Sequence, residues 1–318
     1  MGERQDMRLA PAFLPPALLL AALAASPLAA QADTKPFAVG NRSFSSLQGA
    51  IDSIGDGSGT IVIAPGRYRQ CAVQAAGEIT YSAREPGTAV LSGVACEGKA
   101  ALVLHGRGAS VEGMTFENIR VPDQNGAGIR LEQGNLTVRE SLFRDSESGI
   151  LTADDAGSAI LVDRSTFSGL GGCPDDCSHS IYVGGYASLT VRNTRFERGR
   201  GGHYLKSRSP HILVEDSSFD DSAGHSTNYM IDLPNGATGR IAGNVFVQGR
   251  DKENYSAFIA IAGEGARNST DGLSVTGNDA RIAPGVDRAT TFVADFTGAP
   301  MRIEGNRLGA GLSRYQRR

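Results

Sequence analysis

The 318-residue chain contains no tryptophan, only 6% aromatic residues, four cysteines and a formal charge of just −3. This near-balance of charge gives no general electrostatic reason to bind nucleic acid or anionic lipid, so no nucleic-acid partner is expected. Beyond residue 32 no apolar run is long enough to predict a membrane span. What the chain has in excess is glycine, with 41 residues beside 40% apolar residues. This combination is typical of an all-β protein with many tight turns.

The first 32 residues have the layout of a secretory signal peptide. Arg4 and Arg8 precede an apolar run over 12–30, and an A-x-A sequence at 30–32 offers a cleavage site. A membrane anchor is disfavoured because three prolines interrupt a run that is close to the minimum length for a span. We therefore expect residues 1–32 to be removed. The remaining residues 33–318 are expected to form a single domain, secreted or periplasmic, and monomeric.

An exported chain can form disulfides, and the four cysteines fall into two pairs. Cys71 and Cys96 lie 25 positions apart, whereas Cys173 and Cys177 bracket a three-residue loop. Of the three possible connectivities we predict 71–96 and 173–177. A zinc site is the alternative, but C-x3-C with a distant second pair is not a standard zinc-ligand spacing. No metal site is therefore predicted at the cysteines.

The rest of the chain repeats a short pattern. A β-branched residue is followed five positions later by a large apolar one, at a mean interval of about 27 residues, inside the range of about 20–50 found in repeat architectures. The clear pairs are Val111/Phe116, Val138/Phe143, Val162/Phe167, Val191/Phe196, Val214/Phe219, Ile241/Phe246 and Ile303/Leu308, with Val275/Ala280 as a weaker member. Small hydrogen-bonding residues recur three positions after the β-branched residue, at Ser141, Ser165, Thr194, Ser217, Asn244, Asn278 and Asn306. Irregular intervals around a constant core pattern indicate stacked coils with variable turns.

Before the repeats, a loop is expected to lead into a short amphipathic helix and a strand. The helix is indicated by apolar residues at helical spacing behind a serine N-cap, namely Leu47, Ala50, Ile51 and Ile54 behind Ser45 or Ser46. The strand follows in the sequence TIVIAPGRYR, which begins at Thr60. This arrangement resembles the N-terminal cap of right-handed parallel β-helix proteins, the pectin-lyase-like superfamily. The resemblance implies an all-β right-handed parallel β-helix with a short N-terminal capping helix and coils over about 60–308. The polar tail 313–318 gives no comparable capping signal.

Each coil also contains a further predicted strand. Strict alternation turns every second residue outward. It would bury Ile129, Ile181, Leu205 and Ile231 and expose Arg130, Tyr182, Lys206 and Asp232. Because neighbouring coils stack about 4.8 Å apart, the outward residues should form a column. That column is the predicted ligand-binding face.

The densest set of chemically capable side chains is the sequence GGHYLKSR at 201–208. Alternation puts Tyr204, Lys206 and Arg208 on the outward face, whereas His203 would point inward unless the strand begins after it. The stretch from 195 to 208 holds five basic residues against one acid, which would attract an anionic ligand such as a uronate-containing polysaccharide. Neighbouring coils complete the candidate substrate-binding set, which is Arg130, His179, Tyr182, Asp221, His225 and Asp232.

Many secreted members of the resembled superfamily cleave uronate polysaccharides by β-elimination, so the resemblance implies a polysaccharide lyase. That reaction removes the proton next to a carboxylate, which requires a base and a positive partner for the carboxylate. By resemblance of residue type, Lys206 would be the base, Arg208 the carboxylate partner, and His203 or Tyr204 a proton donor or orienter. No cofactor is expected, although the pairs Asp154-Asp155 and Asp175-Asp176 are candidates for Ca²⁺.

Two alternatives remain open at this stage. A glycoside hydrolase would need carboxylates roughly 5–9.5 Å apart, which Asp220, Asp221 and Asp232 are candidates to supply. A non-catalytic carbohydrate-binding or envelope protein would use the same column to hold a glycan without cutting it.

Overall fold

The computed structural model describes residues 1–2, 35–173 and 177–318. The predicted signal sequence, apart from its first two residues, lies outside the described residues. The elements in chain order are β1 (Phe37–Val39), β2 (Arg42–Phe44), α1 (Leu47–Asp52), β3 (Ser58–Ile63), β4 (Gly66–Tyr68), β5 (Ala72–Gln74), β6 (Glu78–Ala83), β7 (Ala89–Ser92), β8 (Ala100–Leu104), β9 (Gly108–Glu112), β10 (Met114–Glu117), β11 (Ala127–Leu131), β12 (Asn135–Arg139), β13 (Leu142–Arg144), β14 (Ser148–Thr152), β15 (Ala159–Asp163), β16 (Thr166–Ser168), β17 (Ile181–Val183), β18 (Ser188–Arg192), β19 (Arg195–Glu197), β20 (Leu205–Ser207), β21 (His211–Glu215), β22 (Ser218–Asp220), β23 (Ile231–Leu233), β24 (Thr238–Ala242), β25 (Val245–Gln248), β26 (Ala257–Ile261), β27 (Ser274–Thr276), β28 (Asp279–Ile282), β29 (Thr290–Asp295), β30 (Arg302–Glu304), β31 (Arg307–Leu308) and β32 (Leu312–Arg317).

From β3 onward, three successive strands make one coil, and every third strand joins the same sheet. The first sheet runs β3, β6, β9 and so on to β30, with β1 and β2 added at its start. The second sheet runs from β4 to β31 and the third from β5 to β32. From β3 on, the pairings between coils in all three sheets are parallel. The predicted parallel β-helix is therefore confirmed, and its strands extend slightly beyond the expected limits, from Ser58 to Arg317.

The corner between the first and second sheets explains the polar residue that recurs in the repeat. One residue with positive φ makes the turn, as at Glu140 and Asn193, and the next side chain accepts a hydrogen bond from the preceding coil. Thus Ser141 Oγ accepts from Met114 N at 3.2 Å, and Asn278 Oδ1 accepts from Asn244 N at 3.0 Å. Equivalent bonds at the intervening coils complete a ladder from Met114 to Asn306. These side chains satisfy buried backbone N–H groups that the corner leaves without a strand partner.

The large apolar residues of the repeat form a stack of rings inside the coil. Neighbouring rings are separated by 4.7 to 5.1 Å between centroids and lie almost parallel, and the stack comprises Phe116, Phe143, Phe167, Phe196, Phe219 and Phe246. In-register parallel pairing brings the same position of each coil directly over the last, so one residue type repeats along the core.

The first coil is covered by α1 and by an antiparallel hairpin. Ser46 is the N-cap, and its Oγ accepts from Gly49 N at 3.1 Å, while Leu47, Ala50 and Ile51 are buried. The prediction of a loop before α1 is wrong for part of this region, because β1 and β2 pair with each other and β1 pairs antiparallel with β3. The hairpin thereby covers a sheet edge that would otherwise expose unpaired backbone groups.

Both predicted disulfides are present. Cys71–Cys96 joins the turns that lead into β5 and β8, which are adjacent strands of the third sheet, and Cys173–Cys177 closes its short loop. The one helix in the described part of the chain, α1, is only 6 residues long and could not cross a membrane.

Replacing Phe167 by alanine should destabilise the fold by about 3–5 kcal/mol, because the ring is fully buried between two stacked phenylalanines and its loss leaves a cavity. Urea unfolding followed by circular dichroism measures the change. Phe296→Ala, which removes a ring that is 39% exposed, is the matched control and should cost less than about 1 kcal/mol. Equal losses in the two variants would contradict the importance of the stack.

Candidate functional site

The predicted outward column exists on the third sheet. Tyr182 pairs in register with Lys206, and Lys206 with Asp232, while Arg130 joins the same row through Leu151. The alternating apolar residues face inward, and Ile129, Ile181, Leu205 and Ile231 are fully buried. The four polar residues therefore share the outward row as predicted, but Asp232 was expected to be exposed and is buried, with only 5% of its surface accessible.

A groove of about 710 Å³ lies along this column. Its walls include Lys99, Arg130, His179, Tyr182, His203 and Lys206. It therefore brings together predicted site residues from β11, β17 and β20 and from the turns that precede the strands.

At one end of the groove two cations hold a single carboxylate. Glu264 Oε1 lies 2.7 Å from Lys206 Nζ, and Glu264 Oε2 lies 2.6 Å from Arg208 Nη2. Arg208 also donates to Tyr182 Oη at 2.8 Å and to Asn235 Oδ1 at 2.7 Å. Three oxygen atoms thus accept hydrogen bonds from the guanidinium group, so its planar fork is fixed in orientation. We call Lys206 and Arg208 together the cation clamp.

Two stacked histidines and an aspartate flank the cation clamp. The rings of His179 and His203 are 5.0 Å apart, and Tyr229 stacks on the other side of His203 at 5.5 Å. His203 N donates to His179 Nδ1 at 3.0 Å, so the neutral His179 ring carries its proton on Nε2. His203 Nε2 and Lys206 Nζ both approach Asp232 Oδ2, at 3.4 and 3.5 Å. The strand β20 begins after His203, which is why its ring can join the groove.

The low-dielectric surroundings shift the protonation of these groups. Burial, with the nearby cations Lys206 and Arg208, lowers the pKa of His179 to about 3. Burial also lowers the pKa of His203 well below its usual value, and His179 and Lys206 add to the effect. Burial raises the pKa of Asp232 to about 6, although Lys206 opposes the shift. At neutral pH the site therefore contains two neutral imidazoles beside a carboxyl group that can take up a proton.

The two carboxylates that contact Lys206 have opposite pKa shifts. Burial raises the pKa of Glu264, but hydrogen bonds from Lys206 and Arg208 outweigh it, and the net pKa falls below its usual value. Near pH 6, at which Asp232 is about half protonated, Glu264 is therefore ionised.

The structure corrects the placement of Tyr204 and Asp221. Both are buried, and Tyr204 Oη donates to Asp221 Oδ1 at 2.6 Å. Asp221 also accepts from Thr227 Oγ1 and lies 3.2 Å from the buried ammonium of Lys252. Burial, with the neighbouring Asp221 carboxylate, raises the pKa of Tyr204 well above its usual value. Because β20 starts at Leu205, Tyr204 belongs to the preceding turn and does not follow the strand alternation.

Several other predicted residues lie away from the groove walls. His225 is exposed and contacts Asp251 at 3.1 Å. Asp220 ends β22 in the second sheet, whereas Asp232 lies in the third, so the three acids proposed for a hydrolase are not brought together. The basic stretch is also divided, because Arg195 pairs with Glu197 in the second sheet and Arg200 pairs with Asp145.

The candidate calcium ligands serve as turn acceptors where they are described. Asp154 Oδ1 accepts from Gly185 N at 2.6 Å, and Asp155 accepts from Gly134 N at 2.8 Å. Within the described residues, no group of three or more His, Cys, Asp or Glu side chains is arranged to hold a metal ion. The pair at 175–176 lies outside the described residues, and the calcium hypothesis stays a prediction.

Sequence reasoning missed Glu264 and Asn235. Both lie in the connections that follow strands of the third sheet, β26 and β23, and they contact Lys206 and Arg208, respectively. Strand alternation predicts the direction of side chains only within strands, so it gives no prediction for residues in these connections. The only local signal was the tripeptide Gly263-Glu264-Gly265, in which an isolated acid stands between two glycines.

Solved structures with a similar fold include an alginate lyase from Paenibacillus sp. str. FPU-7, which is 17% identical with a TM-score of 0.59 over 85% of this chain and 94% of the lyase. A PL6 family alginate lyase, AlyGC, is also 17% identical, with a TM-score of 0.53 over 81% of this chain and 38% of that enzyme. At this level of identity the likeness establishes the fold. No curated protein sequence matches the chain. The right handed beta helix region family matches residues 95–283, which is more than half of the chain. The chain therefore belongs to the right-handed β-helix family.

Proposed function

We propose that this protein is a secreted or periplasmic polysaccharide lyase that cleaves an acidic polysaccharide by β-elimination in the groove of the third sheet. The observation that carries the proposal is the cation clamp, in which Lys206 and Arg208 hold the carboxylate of Glu264. A site that binds one carboxylate in this way can bind the carboxylate of a uronate in its place. Both neighbours with TM-scores above 0.5 carry names that describe alginate lyases, which supports the same reaction class.

The proposed reaction begins when the substrate carboxylate replaces Glu264 at Arg208. Arg208 then neutralises the carboxylate, so negative charge can develop as the neighbouring C–H bond breaks. Lys206 is the proposed base that accepts this proton. The electron pair forms a carbon–carbon double bond and the glycosidic C–O bond breaks. The departing oxygen takes up the proton that Lys206 received, which leaves an unsaturated uronate on one product and a hydroxyl group on the other.

Asp232 and the two histidines have supporting roles in this proposal. Lys206 must lose a proton before it can act as a base, and Asp232, whose pKa is raised to about 6, lies 3.5 Å from its Nζ and is the proposed acceptor once the substrate has displaced Glu264. His179 presents an N–H group at Nε2, since its Nδ1 accepts from the backbone, and can donate a hydrogen bond to the departing oxygen. The buried Tyr204 is given no proton-transfer role.

Export is proposed on two grounds. The layout of residues 1–32 is that of a signal peptide. The two disulfides, Cys71–Cys96 and Cys173–Cys177, are stable in the oxidising compartments outside the cytoplasm.

A glycoside hydrolase is the second candidate, now with Asp232 and Glu264 as its acids. Each contacts Lys206 Nζ, at 3.5 and 2.7 Å, so the contacting oxygens are at most about 6 Å apart, an upper limit that permits the separation of about 5–5.5 Å used by retaining hydrolases. Their pKa values are shifted in opposite directions, as expected for an acid paired with an ionised carboxylate. The lyase is preferred because it gives a role to both residues of the cation clamp, with Lys206 as the base and Arg208 as the partner of the substrate carboxylate.

Lys206→Ala should lower kcat by about 10²–10⁴-fold, the usual contribution of a positioned base. Arg208→Lys should mainly raise KM, because lysine cannot reproduce the forked contacts of Arg208. The assay follows ultraviolet absorbance of unsaturated uronate on a panel of acidic polysaccharides. Arg302→Ala, at an exposed position in β30, is the control and should be fully active. Full activity of Lys206→Ala would remove its assignment, and new reducing ends without the chromophore would replace the lyase by a hydrolase.

Glu264→Gln distinguishes the two candidate reactions. In the lyase, glutamine competes less strongly than glutamate for the cation clamp, so KM should fall several-fold while unsaturated products still form. In the hydrolase, the same variant loses one of its two carboxylates and activity should be abolished. Steady-state kinetics with both absorbance and reducing-end detection report the outcome. A strong loss of chromophore formation would contradict the competing role given to Glu264 in the lyase.

The neutral histidines predict a dependence of stability on pH. The pKa of His179 is about 3 in the folded protein and about 6.5 when unfolded, so the stability present above about 6.5 is lost as pH falls towards 3. Between about pH 6.5 and 5 this residue should account for a loss of about 1–2 kcal/mol. His179→Asn preserves an acceptor for His203 N and should reduce that loss, measured by urea unfolding at each pH. His211→Asn, at an exposed site, controls for removal of an imidazole. An unchanged pH slope in His179→Asn would show that the ring titrates equally in both states.

A further inference from the structure

The groove continues beyond the cation clamp and the two stacked histidines to a second set of residues. We call this set the Arg130 end, and it consists of Lys99, Asp123, Asn125, Arg130, Ser148 and Leu151. Arg130 and Lys206 belong to the same outward row, three strand steps apart through Leu151 and Tyr182. At about 4.8 Å per step the two positions are about 14 Å apart, a distance that one sugar ring does not bridge.

The two cations of the Arg130 end are already engaged by protein carboxylates. Lys99 Nζ lies 2.7 Å from Glu132 and 3.3 Å from Glu97, and Arg130 Nη2 lies 3.0 Å from Glu132. Hydrogen bonds from Arg130 and Lys99 outweigh the effect of burial and lower the pKa of Glu132 to about 2, so this carboxylate is ionised at neutral pH. With Asp123 on the groove wall, acids outnumber Lys99 and Arg130 by three to two.

The Arg130 end also holds one carboxylate between two cations, but it differs from the cation clamp in how deeply that carboxylate is buried. A uronate at the Arg130 end would have to displace Glu132, which is held by two cations and is more buried than Glu264, with 16% against 45% of the side chain exposed. It would also face the negative charge of Asp123. The negative charges at the Arg130 end therefore disfavour binding of a negatively charged sugar.

The polar atoms that remain unused are suited to hydroxyl groups. Ser148 is 1% exposed and lines the groove, and its Oγ has no hydrogen-bond partner among the described residues. Arg130 Nε is likewise buried and has no partner in the described part of the chain. A buried polar atom without a partner costs about 1–3 kcal/mol, which a ligand can recover by supplying the missing bond. Leu151, between Arg130 and Tyr182 in the row, provides an apolar surface for the carbon face of a sugar ring.

We infer that the Arg130 end is a subsite for an uncharged, hydroxyl-bearing sugar, so that the substrate is a polysaccharide in which uronates alternate with neutral sugars. This inference rests on the proposed function, in which the cation clamp takes the uronate. It adds a requirement that the clamp alone does not impose, because an unbroken run of uronates would place a charged sugar against the carboxylates of the Arg130 end.

Calorimetric binding to the full mature protein tests the inference with two oligosaccharides of equal length. One contains only uronates, and the other contains uronates that alternate with neutral hexoses. The wild-type protein should bind the alternating oligosaccharide more tightly. Ser148→Ala, which breaks no hydrogen bond within the described residues, should weaken that binding by about 5–10-fold, as expected for one lost hydrogen bond, and should not change binding of the all-uronate oligosaccharide.

Two further variants sharpen the test. Asp123→Asn removes a groove carboxylate and should tighten binding of the all-uronate oligosaccharide by about 2–5-fold, as expected when one solvent-exposed repulsion between two carboxylates is removed. Ser110→Ala, in β9 of the first sheet, is the matched serine control and should bind both oligosaccharides as the wild type does.

The failure of this inference can be told apart from that of the proposed function. Tighter binding of the all-uronate oligosaccharide by the wild type, or unchanged binding of the alternating one by Ser148→Ala, overturns the subsite assignment and leaves the lyase proposal intact. If the wild-type protein neither binds nor cleaves either oligosaccharide, the proposed function fails and the inference fails with it.

Discussion

In-register parallel pairing between coils is the constraint on which the rest of this structure depends. Each strand fixes the position of the strand one coil later at about 4.8 Å, so any residue type that recurs in the repeat becomes a continuous row. The buried rings from Phe116 to Phe246 form one such row, and the polar side chains from Ser141 to Asn306 form another. The outward row that contains Lys206 arises from the same geometry on the outward face of the third sheet.

The rows that stabilise the fold and the row that forms the site differ in composition for a physical reason. Identical apolar rings stack favourably, and identical hydroxyl or amide groups can each accept from the coil before. Identical charges at one row would repel each other at strand spacing. The outward row instead changes from Arg130 to Leu151, Tyr182, Lys206 and Asp232, so opposite charges become neighbours and each part of the groove acquires its own chemistry.

The sequence was sufficient to predict the coils, the outward row and both disulfides, because these depend on strand alternation and on short-range spacing. It was insufficient where the chain leaves a strand. Tyr204 was expected outside, but it precedes β20 and turns towards Asp221, and the buried pair of Asp221 with Lys252 depends on turns of different coils meeting. Glu264 was missed for the same reason, since it comes from the connection after β26 and reaches back to β20.

The connections also explain how a regular scaffold can host an irregular site. Lys206 gains Asp232 through strand register, but it gains Glu264 only because the connection after β26 is fastened to the turn after β23. In that contact Glu264 N donates to Pro234 O and Asn235 Nδ2 donates to Gly265 O. Asn235 also accepts from Arg208, so one turn positions both the cation and the carboxylate that neutralises it. The strands therefore set the spacing of the groove, while the interlocked turns after β23 and β26 determine the charge that a ligand encounters at the cation clamp.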